Sequence, residues 1–131
     1  MISIGWSAPA DAAVVLLAAP EGGLADPSAP RESIALEPAG VVDGDRAVAF
    51  PHLSGMALWR LDPAAAARAG EFLRGQTAVA TLSAKGRMLA ATSLQVGPVL
   101  DDLYANDAPL GVTVADGAPS LAVWAPTARK V

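Results

Sequence analysis

One histidine and two pairs of aspartates are the residues of this sequence best suited to acid–base chemistry. His52 is the only histidine, so a nucleophile has one candidate base and a site with several histidine ligands is excluded. Asp43 and Asp45 flank a glycine, and Asp101 and Asp102 are adjacent. Carboxylates about 5–10 Å apart perform glycoside hydrolysis, but no apolar surroundings that would keep one acid protonated are evident here. We therefore expect turn and cap roles for these acids and no catalytic residue.

Short motifs of nucleotide-binding proteins and serine hydrolases do not occur in the sequence. It contains no G-x-G-x-x-G, G-x-x-x-x-G-K or G-x-S-x-G pattern. It also contains no cysteine, which excludes disulfides, thiolate catalysis and cysteine-based zinc sites. We accordingly expect no cofactor and no bound metal.

Tryptophans are the remaining residues that could bind a ligand, because sugar rings have apolar faces that stack on exposed indoles. The chain has three of them, Trp6, Trp59 and Trp124. We take Trp6 and Trp59 as candidate carbohydrate-binding residues. The alternative for each tryptophan is core packing, since an alanine-rich interior needs large residues to fill it. Arg60 lies on the opposite side of its strand from Trp59 and is not counted in this surface.

Length, charge and hydropathy limit the classes of protein to consider. With 131 residues the chain has the size of one domain. A net charge of −4 and scattered basic residues argue against nucleic acid and favour a neutral or cationic partner. No run approaches the roughly 20 apolar residues of a membrane span, and no basic segment precedes the first apolar run as in a signal peptide. The compartment stays undetermined, and secretion is open.

Short apolar runs separated by turn residues predict strands over most of the first half. Residues 12–19 lack polar alternation, which predicts a strand buried on both faces. Residues 21–31 carry two glycines and two prolines and are expected to form a loop. Further strands are expected at 2–6, at 33–37, at 47–50 after a turn at 41–45, and at 56–61.

The second half begins with the one predicted helix. Asp62 is suited to the N-cap, Pro63 to the first helical position and Gly75 to the end, which predicts a helix over about 63–74. Strands at 76–83 and 87–96 should form a hairpin around Gly86. A turn-rich connection at 97–109 and strands at 111–114 and 121–125 follow. The pattern predicts a mainly all-β fold, an antiparallel immunoglobulin-like β-sandwich with one short α-helix.

Several segments together resemble one family of enzymes. The terminal VWAPTARKV resembles the first strand of the family 48 carbohydrate-binding-type module that precedes the catalytic barrel in many family 13 glycoside hydrolases. Upstream, four segments are similar to the N2 domain of pullulanases and limit dextrinases: ISIGW at 2–6, FPHLSGMALWRL at 50–61, GRMLAATSLQV at 86–96 and VLDDLYANDAPLG at 99–111. The resemblance implies an N2-type domain at 1–110, with 111–131 holding its last strands and the start of the next module. We expect the chain to be a piece of a longer protein.

This resemblance implies a parent enzyme that hydrolyses α-1,6 branch points in pullulan, starch or limit dextrins. Its catalytic acids would lie in a downstream barrel, so the chain by itself is expected to be non-catalytic. The expected role is mainly architectural, in contact with the following module and the barrel, with weak α-glucan binding in addition. Two alternatives are a genuine starch- or pullulan-binding module and a free-standing immunoglobulin-like interaction domain. An unpaired strand at the end of the fragment would also favour an edge-mediated homodimer.

Overall fold

The computed structural model describes residues 2–130, which form mostly antiparallel strands with a few short helices. The strands are β1 (Ser3–Gly5), β2 (Ala13–Ala19), β3 (Glu32–Ala35), β4 (Glu37–Val41), β5 (Ala57–Arg60), β6 (Gln76–Leu82), β7 (Met88–Ser93), β8 (Gly111–Ala115) and β9 (Ala118–Ala122). The helices are α1 (Gly44–Ala49), α2 (Pro63–Ala67), α3 (Ala69–Phe72) and α4 (Gly97–Tyr104), with a 3₁₀ turn at Pro51–Leu53.

The chain divides into two compact units, residues 1–94 and residues 95–131. The first unit contains a three-stranded sheet, ordered β1-β5-β4, and a four-stranded sheet, ordered β3-β2-β6-β7. The second unit contains α4 and the hairpin β8–β9. Every strand pair is antiparallel, which confirms the predicted all-β sandwich class. The module boundary predicted at residue 110 stays a prediction.

The core of the first unit is built on β2, whose sequence AVVLLAA carries no polar residue. Val14, Leu16 and Ala18 belong to the main core cluster, while Val15 and Leu17 belong to a second cluster on the other face of the same strand. Strand residues alternate between faces, so burial of the whole run after Ala13 requires cover on both sides of the sheet. The prediction of a strand buried on both faces is therefore confirmed.

Two tryptophans and a threonine link the two sheets through hydrogen bonds. The indole N–H of Trp6, just after β1, donates to Oγ1 of Thr81 on β6 at 2.7 Å. The indole N–H of Trp59, on β5, donates to the main-chain oxygen of Trp6 at 2.9 Å. Thr81 is only 2% exposed, so its hydroxyl also depends on a protein partner. The sheets are thus joined by a polar contact inside an otherwise apolar core.

The predicted helix is present at its expected start but is interrupted. Oδ1 of Asp62 accepts hydrogen bonds from the main-chain N–H groups of Ala64 and Ala65, which confirms the predicted N-cap. Arg68 then leaves helical geometry, with φ −92° and ψ 5°, and separates α2 from α3. The helix ends at Phe72 with Leu73 as its C-cap, two residues earlier than predicted, and Gly75 is not the cap. A Cβ at Gly75 would lie 2.5 Å from the main-chain oxygen of Ala19. Glycine is needed at this position because two main-chain segments approach closely.

Two predicted segments have a different secondary structure from the one expected. Residues 47–50 were expected to form a strand, but the structure has helix α1 over Gly44–Ala49. Alanine favours helix, Asp45 in the first turn suits the helix dipole, and Val48 is 79% exposed, whereas a strand would need a buried face. Residues 97–109 were expected to be turns, but α4 covers Gly97–Tyr104. Pro98 is compatible with a helix because it lies in the first turn.

An exposed ion cluster ties the helical segment to strand β3. The guanidinium of Arg68 contacts carboxylate oxygens of Glu32 at 2.8 Å and of Glu71 at 3.0 Å. Hydrogen bonds from Arg68 lower the pKa of both glutamates, and hydrogen bonds to the two carboxylates raise the pKa of Arg68. The same guanidinium lies 4.7 Å from the ring centroid of Phe72, a buried residue of α3.

Replacing Thr81 by valine should destabilise the first unit, because the indole N–H of Trp6 loses its acceptor in the core while volume is nearly unchanged. The expected loss in the free energy of unfolding is about 1–3 kcal/mol, the cost of a buried donor left unsatisfied. Urea denaturation of the full chain measures it. Thr92→Val makes the same chemical change on exposed strand β7 and should have almost no effect. Equal losses for the two variants would contradict the importance of this hydrogen bond.

The ion cluster should make stability depend on pH in the acidic range. Glu32 and Glu71 have folded-state pKa values below their ordinary value of about 4.3, so the stability they contribute is present above that pH and is lost as pH falls through their folded-state values. Glu32→Gln should lower the Tm at pH 7 and leave it nearly unchanged at a pH below both folded-state values. Asp11→Asn removes an exposed carboxylate outside the cluster and serves as the control. A Glu32→Gln deficit that persists undiminished in acid would contradict this account.

Candidate functional site

The residues considered for acid–base chemistry are exposed and lie on separate elements. His52 is exposed in the 3₁₀ turn, and Asp43 occupies the N-cap position of α1, with Asp45 in its first turn. Asp101 and Asp102 are exposed on α4. Exposed carboxylates are outside the apolar, water-excluded surroundings in which a general acid works. Asp43 stands at the N-cap position, but its side chain makes no cap hydrogen bond, so the expected cap role stays a prediction.

Trp6 and Trp59, the candidate sugar-binding residues, lie side by side at the edge of the main core. Both are partly buried and pack against the core cluster. Their indole N–H groups donate to Thr81 and to the main chain of Trp6, so neither polar edge is available to a ligand. Arg60, next to Trp59, forms an ion pair with Glu37 at 3.0 Å. The geometry favours the core-packing alternative, while sugar binding by the remaining exposed ring surface stays a prediction.

Trp124 is in a different environment from the other two tryptophans. It is 40% exposed, and its indole N–H donates to the main-chain oxygen of Tyr104 at 3.1 Å. Both aromatic residues line an open cleft of about 390 Å³ within residues 95–131, together with Asn106 and Pro126. Trp124 is not one of the two tryptophans that the sequence predicts to bind sugar. The segments YANDAP and VWAP both carried the family resemblance, but no local pattern shows that they meet in space.

Metal-binding clusters and membrane-spanning helices are absent from residues 2–130. Over residues 2–130, no three histidine or acidic side chains are close enough together to hold a metal ion. Within the same residues, no helix has both the length and the apolar character needed to cross a bilayer. No buried side-chain nitrogen or oxygen of this part of the chain lacks a hydrogen-bond partner.

Two curated relatives share substantial sequence identity with this chain. A pullulanase from Klebsiella pneumoniae is 40% identical over 85 residues, which is 63% of this chain and 8% of the relative. Pullulanase 1, chloroplastic, from Arabidopsis thaliana is 35% identical over 82 residues, again 63% of this chain and 8% of the relative. The matching segment is thus a small part of each of these enzymes.

Solved pullulanase structures contain the same fold. The maltotriose complex of the PulA G680L mutant from Klebsiella pneumoniae matches 97% of this chain with a TM-score of 0.81 and 26% identity. PulA from Klebsiella oxytoca matches 97% of the chain with a TM-score of 0.79 and 29% identity. The match covers 14% and 12% of those chains, respectively.

A family model describes most of this sequence directly. The model of the pullulanase N2 domain matches residues 3–102, which include both sheets of the first unit and most of α4. The family match, the curated relatives and the structural neighbours agree with the resemblance found in the sequence. The chain belongs to the pullulanase N2 domain family.

Proposed function

We propose that this chain is a non-catalytic accessory domain of a pullulanase-type enzyme that hydrolyses α-1,6 bonds of α-glucans. Its main role is architectural, and weak α-glucan binding is a second role. The pullulanase names of the relatives support the parent activity, and the small share of those enzymes that the chain matches supports an accessory part. The exposed positions of Asp101, Asp102 and His52 support the absence of catalysis, because a general acid or base works in a protected site.

The observation that carries the architectural role is the apolar face of hairpin β8–β9. Val112 pairs with Leu121, and Val114 pairs with Pro119, so these side chains share one face of the hairpin. Val112 is 70% exposed, and Val114 and Leu121 are each 69% exposed. A two-stranded hairpin is marginally stable by itself in water, and an exposed apolar surface of this kind marks a protein contact. The face is suited to packing against another domain of the parent polypeptide.

The opposite face of the hairpin has a different character. Thr113 and Ser120 are paired across the strands, and their hydroxyl oxygens lie 2.6 Å apart in a hydrogen bond. This face is polar at its centre and needs no apolar cover. Because burial is favourable for the apolar face and not for the polar one, the hairpin should contact another domain through its apolar face.

We also propose the division of the chain that the resemblance implies. Residues 1–110 form the N2-type domain, and residues 111–131 contain its last strands and the start of a carbohydrate-binding-type module. The parts that would cover the hairpin are then that module and the catalytic barrel. The relatives are much longer than the matched segment, which leaves room for both parts in a longer parent. Self-association through the same face is the competing outcome for the isolated chain.

A chimeric enzyme tests the architectural role. The chain would replace the matching segment of Klebsiella pneumoniae pullulanase, and a Val112→Asp/Leu121→Asp variant would be compared with Thr113→Asp/Ser120→Asp. Each variant adds two charges, but only the first places them on the apolar face. We expect the first to lower the Tm and increase proteolysis, because charges buried at a protein contact without partners cost several kcal/mol.

Both variants place two aspartates opposite each other across the strands, and the control also loses the hydrogen bond between Thr113 and Ser120, so a small loss of stability is expected for the control. The control should nevertheless keep pullulan hydrolysis and have a higher Tm than the variant of the apolar face. Equal Tm values for the two variants would refute docking through this face. Sedimentation of the isolated chain, with the same two variants, identifies a homodimer as the alternative use of the face. Release of reducing sugar from pullulan by the purified chain would refute the non-catalytic assignment.

A further inference from the structure

The edges of the two sheets in the first unit are protected to different degrees. At the edge of a sheet, alternate main-chain N–H and C=O groups have no partner strand, and natural proteins limit pairing there with short strands, charges, prolines and bulges. Within the described residues of the first unit, the edge strands are β1 and β4 in one sheet and β3 and β7 in the other. The first three carry such features, whereas β7 carries almost none.

The three protected edges use different features. Strand β1 has only three residues. Strand β4 contains Pro38, which has no N–H to donate, and its pairing with β5 shifts register between Pro38 and Val41. Strand β3 has four residues and begins with Glu32, whose carboxylate contacts Arg68. Each of these features makes the addition of another strand unfavourable.

Strand β7 contains no charged residue, no proline and no glycine. Its sequence is MLAATS, and all six residues are exposed. Met88 is 44% exposed and Leu89 is 46% exposed. A register shift beside Leu82 makes the hairpin end of β7 irregular, but residues 90–93 pair regularly with β6. This regular stretch is a free edge with small or β-branched uncharged side chains, which another strand can approach closely.

The charges around β7 favour a second copy of the same strand as the partner. Because β7 carries no charge, a charged strand would gain no ionic partner along it, whereas β7 of a second copy is uncharged and of equal length. Lys85 and Arg87 lie at the hairpin end. Two parallel copies would bring these basic ends together, but in an antiparallel pair each basic end lies beside residues 93–96 of the other copy, which are uncharged.

Pairing through β7 should end at a closed dimer. Each four-stranded sheet has one unprotected edge, β7, and one protected edge, β3. A two-fold axis near Ala91 would use both β7 edges and join two four-stranded sheets into one eight-stranded sheet whose outer edges are both β3. Addition of a third copy is unfavourable at those edges, so the contact does not extend into a filament.

We propose that β7 is the pairing edge of a symmetric homodimer, in which β7 of one copy aligns antiparallel with β7 of the other. A strand of six residues buries much less than the roughly 1,600 Å² of a standard interface, so the dimer is weak and forms in the micromolar to millimolar range. The edge lies within the segment that matches the N2 family and is separate from the apolar face of hairpin β8–β9. The proposal does not depend on the proposed function.

Opposite charges on two copies of the full 131-residue chain test this pairing. Ala91→Lys and Ala91→Glu each place like charges near the two-fold axis, so each variant alone should dimerise several-fold more weakly than the unmodified chain in sedimentation. A one-to-one mixture of the two variants should recover the dimer, because the facing charges are then opposite. An unmodified chain that stays monomeric at millimolar concentration, or a mixture no tighter than the separate variants, would overturn the proposal.

The opposite edge of the same sheet supplies the matched control. Ala35 is an exposed alanine of β3, so Ala35→Lys and Ala35→Glu make the same changes at the protected edge and should leave dimerisation unchanged. Equal weakening by the changes at Ala35 and Ala91 would overturn the role of β7. Loss of the dimer in the Val112→Asp/Leu121→Asp chain, with the Ala91 variants unaffected, would assign self-association to the hairpin face instead.

Hydrogen exchange locates the contact and separates a second copy from other partners. The main-chain amides of residues 90–93 should gain protection as the concentration of the chain rises, while those of β3 should not change. Protection of residues 90–93 in the pullulanase chimera at a concentration where it is monomeric would assign this edge to another part of the parent and overturn the homodimer.

Discussion

The hydrogen bonds from Trp59 to Trp6 and from Trp6 to Thr81 are the contact on which the sandwich depends most. An interior rich in alanine leaves large volumes that only a few residues of this chain can fill, and the indoles fill part of them. A buried indole needs an acceptor for its N–H, and a buried threonine needs a partner for its hydroxyl. One 2.7 Å hydrogen bond satisfies both needs and connects strands of different sheets. Because the N–H groups of Trp6 and Trp59 are both used in these hydrogen bonds, neither is available to a ligand.

The helical segment is positioned by a close approach of two main-chain segments and by contacts on both of its sides. Gly75 brings the chain so close to Ala19 that no side chain fits between them, which sets where β6 begins beside β2. The buried Phe72 and Ala69 attach α3 to the core, and Arg68 connects the same segment to Glu32 on the outside. Interactions on both the buried and the exposed side therefore hold a helix too short to be stable by its own hydrogen bonds.

The sequence predicts elements whose cause is local and misses features whose cause is distant. The strand at 13–19, the hairpin around Gly86 and the cap at Asp62 follow from hydrophobic runs, turn chemistry and capping preference, and each is present. The strand expected at 47–50 is wrong because a run of four residues cannot show whether one of its faces will be buried.

Contacts between residues far apart in the chain could not be predicted from local sequence patterns. The sequence predicted Gly75 as the end of the helix, whereas α3 ends at Phe72 and the role of Gly75 is its close approach to Ala19, a residue far away in the chain. Trp124 and Tyr104 are twenty positions apart and meet only within the folded second unit. The resemblance to a known family identified the module from its motifs, yet it assigned no ligand contact to either residue. The cleft could be found only from coordinates.

The strands of the second unit bury much less surface than those of the first. All residues of β8 and β9 are exposed, whereas β2 and β6 are largely buried. This chain has no cysteine, so no disulfide compensates for the exposure of these strands. Residues 95–131 therefore gain most from additional contacts, and the apolar hairpin face is where protein contact would bury the most apolar surface.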